Sequence, residues 1–80
     1  MDYYLGMILA FPYNFVPYQW QRCDGTVLNV QQNTALFSLI GNKFGGNGQT
    51  TFAVPNLTNC IQVPNMIYCI CVSGLYPTRQ

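Results

Sequence analysis

The sequence predicts a small α+β domain that is mainly β-structure, with one short helix at about residues 32–40. Short apolar segments are separated by proline, glycine and asparagine, as is typical of a small β-domain. Apolar side chains at positions 35, 36, 39 and 40 recur at helical spacing, and residues 66–72 form an uninterrupted apolar run. With 80 residues, half of them hydrophobic, the chain fits one domain spanning residues 1–80.

The first two predicted strands are separated by a proline-framed loop. Residues 5–11 are apolar apart from one glycine, and residues 18–23 are also predicted to be extended. Pro12 and Pro17 lie between them. Because proline has no amide hydrogen to donate, this loop is not expected to join a central ladder.

A turn at Asp24 and Gly25 follows the second strand. Both residue types tolerate the positive φ that two-residue hairpin turns require. The pair therefore predicts a hairpin leading directly into a third strand at residues 26–28.

The predicted helix has a clear end and two candidate caps. Gly41 stands where glycine commonly terminates a helix in a left-handed conformation. Asn29 or Asn33 could cap its start, although neither is followed by the acidic residue of a capping box.

The loop after the helix is rich in glycine, with Gly45, Gly46 and Gly48. A phosphate cradle would precede a helix, whereas this loop follows one, so the glycines are expected to serve folding. Residues 50–57 are predicted to be extended, with Pro55 near their end. The apolar run at residues 66–72 predicts a closing strand buried on both faces.

The charge content is very low. The charged residues make up 6% of the chain and carry a net charge of +1: Asp2, Arg22, Asp24, Lys43 and Arg79. Soluble monomers usually carry about 25% or more charged residues on their surface. The deficit predicts that copies or partner chains cover part of the surface, and it excludes nucleic-acid binding, which needs clustered cations.

The inventory of reactive groups does not support catalysis. The chain has no histidine, one lysine and two acidic residues, so a nucleophile would lack a base to activate it. Neither a cofactor nor a metal is predicted, because the spacing of Cys23, Cys60, Cys69 and Cys71 matches no zinc pattern. Buried free thiols are favoured, with disulfides as the alternative.

Targeting signals are not predicted. The apolar stretch at residues 5–11 follows Asp2 rather than a basic segment, which disfavours a signal peptide. No apolar run reaches the ~20 residues of a membrane span. The expectation is synthesis in a bacterial cytoplasm without a signal peptide or membrane span.

The aromatic residues predict a contact surface. Tyr3, Tyr4, Tyr13 and Tyr18 are candidates for this surface, with a protein interface favoured over binding of a glycan. Trp20 is expected to lie in the core instead.

An ordered set of short motifs runs from residue 6 to residue 57, and part of the C-terminus belongs to it. The set comprises Gly6, Met7, Ile8, Phe11, Phe15, Pro17 and Trp20, then Cys23, Asp24 and Gly25, then Asn33 with residues 35–41, residues 44–48 and 50–57, and finally Gly74, Tyr76, Pro77 and Arg79. In this order the motifs resemble the phage tail collar domain family, which also contains bacterial proteins described as microcystin-dependent.

The resemblance implies a noncatalytic structural component of a phage tail or phage-derived particle, at a fibre, collar or tail tip. It implies a virion location, other tail or fibre proteins as partners, and a homotrimer, since fibre-borne relatives are trimeric. The length favours a minimal cap or adaptor. Alternatives are a lectin-like module for cell-surface glycan and a small bacterial oligomer-forming protein of phage descent.

Two departures from the family pattern affect these expectations. Gln19 stands where the family usually has glycine, which predicts a different turn before Trp20. After Leu57 the family often carries a long variable insertion, whereas residues 60–65 bridge this region here. Because the resemblance implies receptor recognition in that variable part or in an attached fibre, the absence of the insertion weakens the expectation of receptor binding.

Overall fold

The computed structural model describes residues 3–58 and 66–77. In chain order the elements are β1 (Ile8–Phe11), β2 (Trp20–Arg22), β3 (Val27–Asn29), α1 (Thr34–Ile40), β4 (Thr51–Ala53) and β5 (Ile67–Cys71). The predicted fold class, mainly β with one short helix, is confirmed. The prediction of a single domain spanning residues 1–80 stays a prediction.

The strands form two small antiparallel sheets. A three-stranded sheet has the order β1-β5-β2, and a two-stranded sheet pairs β3 with β4. β5 is therefore an interior strand, as its apolar run predicted. Its register sets Ile70 opposite both Ile8 of β1 and Gln21 of β2.

The predicted hairpin between the second and third strands is wrong, because β2 pairs with β5 and β3 pairs with β4. The Asp24 carboxylate accepts hydrogen bonds from the Thr26 amide, at 3.0 Å, and from the Thr26 hydroxyl. Gly25 has a φ of +84°. This local Asx turn leads the chain from the first sheet into the second, with Asp24 in a bridge to Asn56.

β1 begins at Ile8 rather than at residue 5 because a turn precedes it. The amide of Met7 donates to the carbonyl of Tyr4 at 3.1 Å, and Gly6 has a φ of +86°. Leu5 is buried beside the helix and the second sheet as part of the core. The extended region predicted at residues 50–57 is regular only over β4.

The helix starts two residues later than predicted. Asn29 accepts the amide hydrogens of Gln31 at 2.7 Å and Gln32 at 3.3 Å through Oδ1, which makes a separate turn before the helix. Asn33 occupies the cap position, but its side chain donates to the carbonyl of Asn29 instead of accepting a helical amide. Neither candidate therefore caps the helix through its side chain, and Asn29 instead stabilises the turn that precedes the helix.

Two glycines have conformations or contacts that exclude other residues. Gly41 ends the helix with φ +59° and ψ −150°, which lies outside the predicted left-handed helical region and in a region populated almost only by glycine. A Cβ atom on Gly46 would lie 2.4 Å from the Cα atom of Phe52. Gly46 therefore lets the loop lie directly against β4.

The core joins the helix to both sheets. Its buried residues are Leu5, Cys23, Leu36, Phe52, Val54 and Ile70. The ring of Phe37 packs on that of Phe52 with centroids 5.3 Å apart. The helix, β4, β5 and the segments beside them thus contribute side chains to one small shared core.

The two ends of the described chain are joined by backbone hydrogen bonds. The amide of Leu5 donates to the carbonyl of Leu75 at 2.7 Å, and the amide of Leu75 donates to the carbonyl of Tyr3 at 2.9 Å. Tyr4 and Leu75 form a parallel bridge. A Cβ atom on Gly74 would lie 2.3 Å from the Tyr3 carbonyl oxygen, so this terminal clasp requires glycine there.

The turn before β2 contains a strained residue. The amide of Trp20 donates to the carbonyl of Pro17 at 3.2 Å, which closes a four-residue turn. Gln19, the third residue of that turn, has a φ of +71° and is the one non-glycine residue with positive φ within residues 3–58 and 66–77. A positive φ at this position is the requirement of a type II turn. Gln19 therefore has a backbone conformation that favours glycine.

We expect Ile70→Asp to abolish folding, because Ile70 lies in the core on the interior strand and a carboxylate there would be buried without a partner, at a cost of several kcal/mol. Val27→Asp is the matched control, since Val27 is an exposed strand residue. Soluble expression and circular dichroism measure the effect. A folded Ile70→Asp variant would contradict the burial of β5. An aspartate at Thr78 near the C-terminus is also expected to be tolerated, but this position lies outside the described residues.

We expect Gln19→Gly to stabilise the protein by roughly 0.5–1 kcal/mol, because relief of a strained positive φ exceeds the entropy cost of glycine. Gln21→Gly, in the regular strand β2, should instead destabilise by about 0.5–1 kcal/mol. Chemical denaturation of both variants measures the difference. A loss of stability in Gln19→Gly would show that the glutamine side chain matters more than its backbone.

Candidate functional site

Aromatic rings form a continuous cluster on the first sheet. The ring of Trp20 contacts those of Tyr3 and Phe11 edge to face, with centroids 5.4 and 5.0 Å apart. Phe11 stacks on Tyr13 at 5.8 Å, and Tyr13 stacks on Phe15 at 5.0 Å with their planes 11° apart. We call these residues, Tyr3, Phe11, Tyr13, Phe15 and Trp20, the aromatic strip.

The strand register places the strip on the sheet face opposite the core. Phe11 lies opposite Ile67 on the ladder, and Trp20 lies opposite Cys71. Paired residues share a face and alternate residues along a strand face opposite ways, so these side chains lie on the face away from Ile70. Cys69 and Cys71 on this face are almost fully buried. Phe11 and Trp20 therefore place part of the strip on the second face of the sheet, beside β5.

Trp20 does not lie in the core, which corrects the expectation for this residue. It is half-buried and contacts the aromatic strip. Its position follows from the register, since its partner Cys71 lies one residue from Ile70 and thus on the other face.

The predicted contact tyrosines are divided between the strip and its surroundings. Tyr3 and Tyr13 belong to the strip, and Tyr13 is 43% exposed. Tyr18 is 90% exposed in the turn that precedes Trp20, and Tyr4 is also exposed, but in the terminal clasp. The structure therefore brings two of the four candidates into one cluster.

Phe11 and Phe15 belong to this surface although the sequence did not single them out as contact residues. Phe15 is 60% exposed. The sequence does carry a signal for them, because Phe11, Tyr13 and Phe15 alternate at a spacing of two across a proline. This period places three rings on one side of an extended segment.

A broad open groove adjoins the end of the strip. Its volume is about 580 Å³, and its lining includes Tyr13, Asn14, Phe15, Arg22 and Ile67. A smaller cleft of about 210 Å³ lies at the other end, between Tyr3, Trp20, Cys71 and residues 73–75. Both are bounded by members of the strip.

The motif residues that carry the family resemblance lie in the core, in turns or at positions of positive φ. Cys23 and Pro55 are buried, Asp24 and Gly25 form the turn between the sheets, and Gly45, Gly46 and Gly48 all have positive φ. Cys23 also donates its amide to the carbonyl of Tyr68 at 2.9 Å and accepts the amide of Leu57 at 2.8 Å. Its backbone thereby connects the first sheet to the segment after β4.

The pKa values of the titratable groups near this turn are shifted in directions that suit a structural role. Burial, with smaller contributions from Cys69 and Asp24, raises the pKa of the Cys23 thiol to about 11. Burial also raises the pKa of Cys69. The hydrogen bond from the Thr26 hydroxyl holds the pKa of Asp24 below its ordinary value. Protonated thiols are poor nucleophiles, and a carboxylate with a lowered pKa is a weak base.

The thiols are buried and free at Cys23, Cys69 and Cys71, while Cys60 lies outside the described residues. Within residues 3–58 and 66–77, no three potential ligands are grouped as a metal site. In the same part of the chain, no helix has both the length and the apolar character needed to cross a membrane.

We expect the free energy of unfolding to fall as the pH rises from 9.0 toward about 11, because the unfolded chain releases the Cys23 proton before the folded chain does. Below the ordinary pKa the contribution of this thiol is complete. Urea denaturation at about pH 8 and about pH 10.5 measures the change. In Cys23→Ala the decrease should be smaller than in the wild type. An equal decrease in both proteins would exclude Cys23 as the cause.

Comparisons with curated proteins and with solved structures gave no significant match. A family comparison did: the Phage Tail Collar Domain matches residues 6–61. This range contains β1 to β4, the helix, the Cys23 turn and the loop of Gly45, Gly46 and Gly48. It spans more than half of the 80 residues, and it agrees with the motifs that carried the resemblance. The chain belongs to the phage tail collar domain family, a family of structural phage tail modules.

Proposed function

We propose that the chain is an oligomeric cap or adaptor in a phage tail or phage-derived tail-like particle, at a fibre, collar or tail tip. The role is structural assembly, with other tail or fibre proteins as partners. Family membership supports a location in the particle. A homotrimer is the favoured assembly, since fibre-borne members of the family are trimeric. The chain is expected to act without catalysis or a cofactor.

The observation that carries this proposal is the large exposed apolar surface on a chain with few charges. Large hydrophobic side chains are exposed at Tyr3, Tyr4, Ile8, Tyr13, Phe15, Val16, Tyr18, Val27, Phe44, Leu75 and Tyr76. Only 6% of the residues carry a charge. A lone soluble domain with this surface would be prone to association. Assembly with identical or related chains would cover it.

Binding of a cell-surface glycan is a second candidate, and Tyr18 is the observation that favours it. Its side chain is 90% exposed, so a ring face is free to stack on a sugar. Neither the groove nor the cleft is lined by Tyr18, and a lone ring supports weak binding only. The third candidate is a bacterial oligomer-forming protein of phage descent. It would form an oligomer of this chain outside any tail-like particle.

We expect the purified protein to be an oligomer at micromolar concentration, with three chains the leading number. Size exclusion coupled to light scattering measures the mass against the 9.0 kDa of one chain. A monomer that stays soluble throughout this concentration range would contradict the proposal. Mass spectrometry of purified particles then distinguishes a tail component, which co-purifies in fixed stoichiometry, from a free bacterial oligomer.

A further inference from the structure

The loop after the helix contains the one Asn-Gly pair of the chain, Asn47 and Gly48. In such a pair, the backbone nitrogen that follows asparagine can attack the carbon of the side-chain amide. Glycine favours this reaction, because it has no Cβ atom to hinder the approach and leaves the backbone free to rotate. This pair is therefore the position at which the sequence is most prone to lose an asparagine amide.

Hydrogen bonds, rather than burial, hold the side chain of Asn47 in place. The residue is exposed to solvent, so water reaches it. Its Oδ1 accepts the amide hydrogens of Gln49 at 2.8 Å, Thr50 at 2.8 Å and Thr51 at 3.1 Å. Its Nδ2 donates to the hydroxyl of Thr50 at 2.9 Å. The side-chain amide cannot turn without breaking these bonds.

The attacking nitrogen is held as well. The amide of Gly48 donates to the carbonyl of Thr51 at 3.0 Å, and the amide of Asn47 donates to the hydroxyl of Thr51 at 3.1 Å. The Gly48 nitrogen must lose its proton in the reaction, and a backbone carbonyl accepts the hydrogen bond without taking up that proton. Gly48 must therefore leave Thr51 before its nitrogen can attack.

The bonds around Asn47 have two opposing effects on the reaction. Three amide hydrogens on Oδ1 withdraw electrons from Cγ, which favours attack. The bonds to Thr51 fix the positions of Asn47 and Gly48 and keep the Gly48 nitrogen occupied, which opposes attack. Opening of the loop releases that nitrogen, and the same opening removes the amide hydrogens from Oδ1. The constraint on the nitrogen therefore determines the rate.

We propose that Asn47 is a modification site that folding closes: the native loop blocks its deamidation, and the unfolded chain undergoes it. A bond forms between the Gly48 nitrogen and Cγ of Asn47, the bond from Cγ to Nδ2 breaks, and ammonia leaves with the amide proton of Gly48. Water then opens the cyclic imide to aspartate or isoaspartate at position 47, and nothing is oxidised or reduced. This inference concerns the fold and does not rest on the proposed function.

Isoaspartate at position 47 would prevent the loop from forming again. The main chain then runs through Cβ and Cγ, so the oxygen that accepted three amide hydrogens becomes a backbone carbonyl oxygen. The added backbone atom displaces Gly48 from the carbonyl of Thr51. A chain that stays unfolded is thereby lost irreversibly from the pool that can fold, whereas a folded chain is preserved.

The rates of deamidation in the folded and the unfolded protein test the proposal. Peptide mapping by mass spectrometry measures aspartate and isoaspartate at position 47 after incubation with and without urea, at one pH and temperature. We expect the folded protein to react more slowly, by about tenfold or more, because the reaction waits for the loop to open. An equal or faster reaction in the folded protein would overturn the proposal.

Thr51→Val tests the loop within the folded protein. It removes the hydroxyl that binds the Asn47 amide, and valine suits the strand β4. Loss of one hydrogen bond should make deamidation of the folded variant roughly two- to tenfold faster. Thr58→Val is the matched control, since the Thr58 hydroxyl binds Asn56 instead. Circular dichroism verifies that both variants are folded, and equal rates in the two would overturn the proposal.

Discussion

The fold depends on covering both faces of one central strand. β5 pairs with β1 on one side and with β2 on the other, and four of its five side chains are buried. The helix and the second sheet supply a core for the face that carries Ile70. An 80-residue chain has little left for the other face. Here Phe11 and Trp20 of the aromatic strip lie on the face of Cys69 and Cys71, and Tyr13 and Phe15, which continue the strip, are exposed.

The turn at Cys23, Asp24 and Gly25 joins the first sheet to the second, and each of its residues has a separate structural role. Cys23 fills the core, Asp24 binds Thr26, and Gly25 supplies a positive φ. The backbone of Cys23 holds Tyr68 of β5 on one side and Leu57 on the other. The motif therefore fixes the junction between the two sheets. The protonated thiol of Cys23 packs in the core. This agrees with the buried free thiols that the sequence predicted.

The sequence was informative wherever structure is determined locally, and it failed where distant segments pair. The helix and its end at Gly41 follow from apolar spacing and one glycine, and β5 follows from its uninterrupted apolar run. The hairpin after β2 was predicted from the turn residues alone. The partner of β2 lies more than 40 residues away in β5, and no local signal reveals that pairing. Trp20 was misplaced for the same reason, because its face depends on the register with β5.

The sequence predicted only part of the candidate surface, because the rest also depends on the pairing of distant strands. Tyr3 and Tyr13 were expected to be exposed aromatic residues, but their connection through Phe11 and Trp20 exists only when β1 and β2 flank one strand. Gln19 is a different case. Its φ is positive, which glutamine rarely adopts, and the hydrogen bond from the Trp20 amide to the Pro17 carbonyl closes the turn around it. The tertiary fold here outweighs the local preference of one residue.

The terminal clasp determines how the domain would respond to mechanical force. Tyr4 and Leu75 run parallel, so pulling residue 3 and residue 77 apart along the strands would slide one segment past the other. In that shear geometry the bonds Leu5 to Leu75 and Leu75 to Tyr3 share the load and must break together. An antiparallel hairpin pulled at its open end would lose its bonds one at a time. The clasp therefore opposes the separation of residues 3 and 77 with two bonds that are loaded at the same time.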